Sequence, residues 1–325
     1  MRKKLISLGL IAAMAGTMLA GCGGGDSNAD AAANFPEKQL TIVCPFGAGG
    51  GSDVVLRTVV PYLEEEFGQT VVIDYKEGAG GIAGVNEYTA MNPDGYTLVT
   101  YNDPHIFLQT EFQETAYEKD DLTPLMGISQ KAEALFVKAD SPFNTLEEWI
   151  AYAKEHPGEL TVGNTGTYSS NHLSFAMISN ATDIEMTRIV FENGNKSFTA
   201  LLGDETDACI ASIDWLTTHE GSVKALAVAA EETVAEAPEV PTFKELGYDV
   251  VSAVNNNLYV LSDTPDEVVA VLQEKIANVC ESEELAADLA AAGVPAALYN
   301  AEELEAYEAD LGQRLEEVKH LLVEE

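Results

Sequence analysis

Apolar positions along the chain recur in two rhythms. Short β-rich runs at 40–44, 70–75, 96–101, 134–138, 160–163, 188–191, 208–211 and 225–228 are interleaved with stretches whose apolar residues return every three or four positions, among them 53–67, 146–156, 170–180 and 197–202. Strand followed by helix, repeated, predicts an α/β fold in which mostly parallel sheets carry helices on both faces. Asn92-Pro93-Asp94-Gly95 marks a turn ahead of the third strand. The last third is helical. Thr264-Pro265-Asp266-Glu267 has the form of a capping box opening a helix to about Cys280, and Asn300 is placed to cap a final helix over 301–322. Helices that return late in an α/β chain often cover its first domain. Two lobes with a cleft between them are therefore expected, 36–139 joined by 261–325 as one and 140–260 as the other.

The N-terminus follows another pattern. Arg2, Lys3 and Lys4 precede an apolar run over 5–19 that is short for a membrane span and ends in Leu19-Ala20-Gly21-Cys22. Residues 1–21 read as a lipoprotein signal peptide, with Cys22 the acylated first residue of the mature chain and 22–35 a flexible tether rich in Gly, Ala, Asp and Ser. No other stretch has the apolar length of a helical span, so the expectation is an exported protein held to the membrane by lipid alone. Hydrophobic residues make up 46% of the sequence, enough for a substantial core.

Charge narrows the partners. With 54 Asp+Glu against 17 Lys+Arg the formal net charge is −37, which argues against nucleic acid. Such a field also repels an anionic solute at long range, so any anion must be held by short-range donors. Beyond Cys22, Cys44, Cys209 and Cys280 fall in strand, strand and helix contexts without ligand spacing, which suggests buried small side chains rather than a disulfide framework or a zinc site.

Chemistry concentrates in glycine. Ile42 to Asp53 runs strand, then Pro45-Phe46-Gly47-Ala48-Gly49-Gly50-Gly51, then helix, with Ser52 or Asp53 available as a cap. Bare N–H groups and a helix N-terminus can face an anion there. No Lys follows as a phosphate loop requires, and Ser52 stands where a dinucleotide fingerprint needs its third Gly. A second loop, Glu77-Gly78-Ala79-Gly80-Gly81-Ile82-Ala83-Gly84, follows the second strand. It spells G-x-G-x-x-A with Asp103 about twenty residues on, so a dinucleotide site is a competing reading, weakened by the export signal. Two such loops at the same end of adjacent parallel strands lie where open α/β sheets bind ligands.

These segments resemble the solute-binding receptors of tripartite tricarboxylate transporters, the Bug-type proteins. Phe35-Pro36-Glu37-Lys38, the Pro45 to Asp53 loop, Gly78 to Gly81, Pro93-Asp94-Gly95-Tyr96-Thr97-Leu98, Gly163 to Leu173, Ala200 to Asp204 and Val240-Pro241-Thr242-Phe243 carry the likeness in order. It implies a two-lobed periplasmic-binding-protein fold of type II that closes on a small carboxylate and delivers it to membrane subunits. Phe46, Gly47, Ala48, Gly49, Gly50, Ser52 and Asp53 match the first ligand loop, and Gly78, Ala79, Gly80 and Gly81 the second. Thr165, Thr167, Ser169 and Ser170 match the hydroxyl-rich loop of the opposite lobe, where Ser169 serves equally well as a helix cap. Asn102, Phe191 and Asn255 complete the expected wall. Ile189 to Asn193 replaces the family's V-P-Y-K-G, and Asn255-Asn256-Asn257 its W-x-G, which shifts the expected solute toward a polar, multiply hydrogen-bonding one.

A catalytic reading would pair Ser169 with His172 and a distant carboxylate such as Asp207, but no nucleophile elbow or H-E-x-x-H supports it. The five histidines are scattered, so neither a metal nor a cofactor is expected. The sequence points to a monomeric binding protein rather than an enzyme or a purely structural lipoprotein.

Overall fold

The structure, a computed structural model, describes residues 34–323. The signal segment and Cys22 lie outside the described residues. Strands β1 (Leu40–Cys44), β2 (Val71–Tyr75) and β3 (Thr97–Asp103) pair in parallel in the order β2-β1-β3. They are joined by helices α1 (Gly51–Phe67) and α2 (Ile82–Thr89), and α3 (His105–Phe112) follows β3. Parallel pairing forces each connection to cross over the sheet, which is why a helix follows each of these strands. Leu40, Ile42 and Cys44 pack with Val55, Leu56, Val59 and Leu63 of α1, while Val43 and Val99 pack with Val85 and Tyr88 of α2. The period-two alternation of β1 thus feeds both sides of the sheet.

The second half repeats the plan. α4 (Leu146–Glu155), β5 (Thr161–Thr165), α5 (Ser170–Thr182), β6 (Thr187–Phe191), α6 (Gly194–Leu202), β7 (Ala208–Ser212), the short α7 (Trp215–Thr218) and β8 (Val223–Val228) follow one another. β5 pairs in parallel with β6 and β7.

One strand links the halves. β4 (Leu122–Lys138) is 17 residues long. Its stretch from Leu122 to Ala132 lies antiparallel to β9 (Ala253–Leu261), and its stretch from Glu133 onward lies antiparallel to β7 and β8. The result is a mixed ten-stranded sheet ordered β2-β1-β3-β9-β4-β7-β5-β6, with β8 and β10 (Ala296–Asn300) also on β4. The expected parallel pairing holds for the strands that carry the loops, and antiparallel pairing supplies the bridge between them.

β9, β10 and the first half of β4 escape a reading of the sequence. β9 contains Asn255-Asn256-Asn257, residues of low strand propensity, and is held by its neighbours on both sides, β3 and β4.

The C-terminal helices divide between the halves. α8 (Asp266–Cys280) and α9 (Glu283–Ala291) bury Leu272, Ile276, Leu285 and Leu289 against the first half. In α10 (Ala301–Val318), Leu311, Leu315 and Val318 join the cluster of Trp149, Leu173 and Met177 in the second. Asn300 and Glu303 form the capping box expected of α10. The box expected at Thr264 does not form, since Pro265 takes the cap position and the buried Thr264 hydroxyl makes no hydrogen bond. Cys44 and Cys209 are buried, and all three cysteines of the described residues are free thiols. Among the described residues, no helix is long and apolar enough to cross a membrane.

Candidate functional site

Both glycine loops sit at the C-terminal ends of adjacent parallel strands, as the pattern predicts. In the first, Gly50 is the cap residue of α1 and offers no side chain, so the work of holding the loop falls to Asp53. Its carboxylate, 3% exposed, accepts the Gly49 N–H at 2.7 Å, Arg57 Nε at 3.0 Å and the Tyr75 hydroxyl. Burial pushes this carboxyl up, but the hydrogen bonds from Tyr75, Gly49 and Arg57 outweigh it and hold it below the usual carboxylate range. Gly49 has φ +82°, a conformation that a side chain resists. The loop is thereby fixed without using the N–H groups of Gly47, Ala48, Gly51 and Ser52, which meet no protein acceptor among the described residues. Phe46 stacks on Tyr101 with ring centroids 5.8 Å apart.

The second loop packs under that ring pair. A Cβ on Gly81 would stand 2.7 Å from the Tyr101 ring, so only glycine fits. The Gly80 carbonyl accepts from Gln109 Nε2 at 3.1 Å, Tyr101 donates to Gln109, and Ala79 has φ +48°. Gly78, Ala79 and Gly80 keep their N–H groups outside the internal bonding, whereas Gly81 N–H returns to the Gly78 carbonyl at 2.9 Å.

Behind the first loop, Ser52 donates to Asn256 Oδ1 at 2.9 Å and lies 3.5 Å from Asn102 Oδ1, while Asn256 donates to Ser129 at 3.1 Å. Asn102 and Ser129 are the register partners of Asn256 on β3 and β4, so the three share one face with Ser52. Asn255 falls on the other face, 1% exposed, opposite Gln130 and toward Tyr307 of α10. Alternation along β9 therefore places Asn256, not Asn255, beside the loop.

The hydroxyl loop is built differently. Thr165 donates to Asn171 Oδ1. Ser169 caps α5, accepting His172 N–H at 3.3 Å and donating to the Thr165 carbonyl at 2.6 Å. Ser170 is 5% exposed and lies near the carboxylate of Glu133, whose pKa it helps to lower. That carboxylate accepts from Asn171 Nδ2 at 2.8 Å and Ser174 at 2.7 Å, and Ser174 reaches Ser252 at 2.7 Å. Burial raises the Glu133 pKa against the pull of these donors. Thr167 lies in the same loop and is not without a partner. Phe191 ends β6, and its carbonyl accepts the Gly166 N–H at 3.3 Å.

Three residues that the sequence reading passed over stand at the crossing. Glu133 is where β4 changes partners, and Lys131, two residues earlier, pairs with Asp214 at 3.4 Å. Asn171 links the hydroxyl loop to Glu133. Nothing in spacing marked them, because the contact that defines each is between distant segments.

The Ser169–His172 pair is no nucleophile and base. The Ser169 hydroxyl is committed to the Thr165 carbonyl, and His172 Nδ1 accepts the Tyr168 N–H at 3.3 Å. Among the described residues, no three His, Cys, Asp or Glu side chains gather to hold a metal. A groove of about 430 Å³ between α1 and α9, lined by Arg57, Tyr62, Glu284 and Asp288, contains none of the loop residues.

Residues 55–321 match the family model described as tripartite tricarboxylate transporter family receptor. A Cupriavidus necator protein described as "UPF0065 protein in gbd 5'region" is 30% identical over 241 residues, 74% of each chain. Among solved structures, a TctC solute binding protein from Polaromonas, without ligand, superposes with a TM-score of 0.78 at 28% identity, covering 89% of this chain and 99% of that one. An R. palustris protein with adipate gives 0.71 at 24% identity, covering 89% and 98%.

Proposed function

We infer that this chain, which belongs to the tripartite tricarboxylate transporter receptor family, captures a small carboxylate outside the cytoplasm and passes it to membrane subunits of such a transporter, without transforming it. The observation that carries the reading is the set of open N–H groups at Gly47, Ala48, Gly51 and Ser52, fixed in place by Asp53 at the start of a 17-residue helix. Charge-assisted hydrogen bonds contribute about 1.5–3 kcal/mol each, and the helix N-terminus adds to them, so a few suffice for micromolar affinity. The adipate in one structural neighbour supports a carboxylate as the solute class.

In this reading the cleft lies between two lobes that close by bending at β4 and β9. The division at 139/140 and 260/261 then moves to the places where pairing changes, after Ala132 and before Ala253. Gly78 to Gly81 flank the solute from the same lobe as the first loop, and Thr165, Thr167, Ser169, Ser170 and Phe191 shape the facing wall. Acyl chains on Cys22 hold a monomer to the membrane.

Mass spectrometry of the protein gently extracted from its own membrane tests the whole reading. A co-purifying organic acid and a mature chain beginning at acylated Cys22 are expected. A bound solute without any carboxylate would overturn the solute class, and an unmodified Cys22 would overturn the anchor.

A further inference from the structure

The proposed site holds a carboxylate of its own. Glu77 ends the second strand's approach to the second glycine loop and is exposed, yet its side chain lies against the first loop. A Cβ built on Gly47 would stand 3.0 Å from Glu77 Oε2, 3.2 Å from its carboxyl carbon and 3.3 Å from Oε1. The carboxylate thus lies against Gly47, whose N–H, like that of Ala48, meets no protein acceptor among the described residues. The adjacent cation, Lys76, pairs with Asp74 and Glu87. Lys76 thus spends its charge on those two carboxylates and not on Glu77.

An anion seated on the Gly47 and Ala48 amides would therefore meet a like charge at close range, in a protein that already carries −37. A solute that brings its own cation removes the conflict. Amide donors take its carboxylate, and the Glu77 oxygens take N–H donors from an ammonium one or two bonds away.

We propose that Glu77 makes this site selective for a zwitterionic solute, a small amino acid or a close analogue with an ammonium near the carboxylate, over the corresponding acid without nitrogen. The proposal rests on the carboxylate reading above and sharpens it to a substrate class.

Titration calorimetry on matched pairs, with chelator present throughout, decides it. Aspartate against succinate, glutamate against glutarate and alanine against propionate differ only in the amino group. For the wild type, the amino-bearing member of the best-binding pair is expected to bind about tenfold or more tightly, and Glu77→Gln, at an exposed position, should bring that ratio to about threefold or less. A wild type that binds the nitrogen-free member equally well or better overturns the proposal while leaving the carboxylate reading intact. An unchanged ratio in the Glu77→Gln protein overturns the role of Glu77. Failure of both series to bind overturns the carboxylate reading itself.

Discussion

The first glycine loop and the hydroxyl loop both connect the end of a parallel strand to the start of a helix, but they handle their donors in opposite ways. In the glycine loop one buried carboxylate, Asp53, fixes the chain through Gly49 and leaves the neighbouring amides open. In the hydroxyl loop the side chains with the obvious donors are consumed inside the protein. Thr165 goes to Asn171, Ser169 to Thr165, and Ser174 to Glu133. Donors that look available in sequence are those most easily satisfied by a neighbour, whereas backbone N–H groups flanked by glycine have no side chain to satisfy them. In the function proposed above, anion capture falls chiefly to the first loop, and the hydroxyl loop serves as a positioned wall.

The severest test of that contrast is Ala48→Asp. A carboxylate set among the open amides occupies them and repels the solute, so affinity should fall by about 100-fold or more while the melting temperature changes little. Calorimetry with the co-purified solute reads it, and an Ala48→Asp protein binding as tightly as wild type would move the anion site off this loop.

A smaller effect separates the two buried acids that flank the site. Asp53 has a lowered pKa, so its contribution to stability is present above the ordinary carboxylate range and is lost as pH falls through the folded value. Asp103 has the reverse sign. Burial first and the Glu308 carboxylate second raise its pKa, with Tyr259 and Asn257 donating to it and Lys119 paired with Glu308 at 2.7 Å. Its contribution is present at acid pH and is lost as pH rises. Urea unfolding should show Asp53→Ala destabilised by about 2–3 kcal/mol at neutral pH, with the deficit shrinking in acid. Asp103→Asn should instead flatten the decline of stability on the alkaline side. The same pH slope in both variants would contradict the assignment.

Least affected should be the exposed face of α10. Glu302→Lys with Glu305→Lys alters the distant field but no donor, so affinity should hold within about threefold while the association rate shifts with ionic strength, as stopped-flow mixing would show. Glu308 does not belong to that face, being 6% exposed and bonded to Lys119 and Tyr259.

Local pattern determined much of this protein. Period-two and helical spacing located β1, β2, β3 and α1, glycine runs located both loops and the start of α2, and Asn300 located the start of α10, because each depends on residues a few positions apart. The order of motifs along the chain was enough to point to the family. Tertiary structure decided what depends on distant partners. It paired β4 with β9 in one half and with β7 and β8 in the other, put Asn256 rather than Asn255 beside Ser52, and spent the hydroxyls of the second lobe on Glu133 and Asn171. It also laid Glu77 on Gly47, 30 positions away. A side chain's chemistry is written in the sequence, but whether its donors and charges remain free for a solute depends on which neighbours folding brings to it.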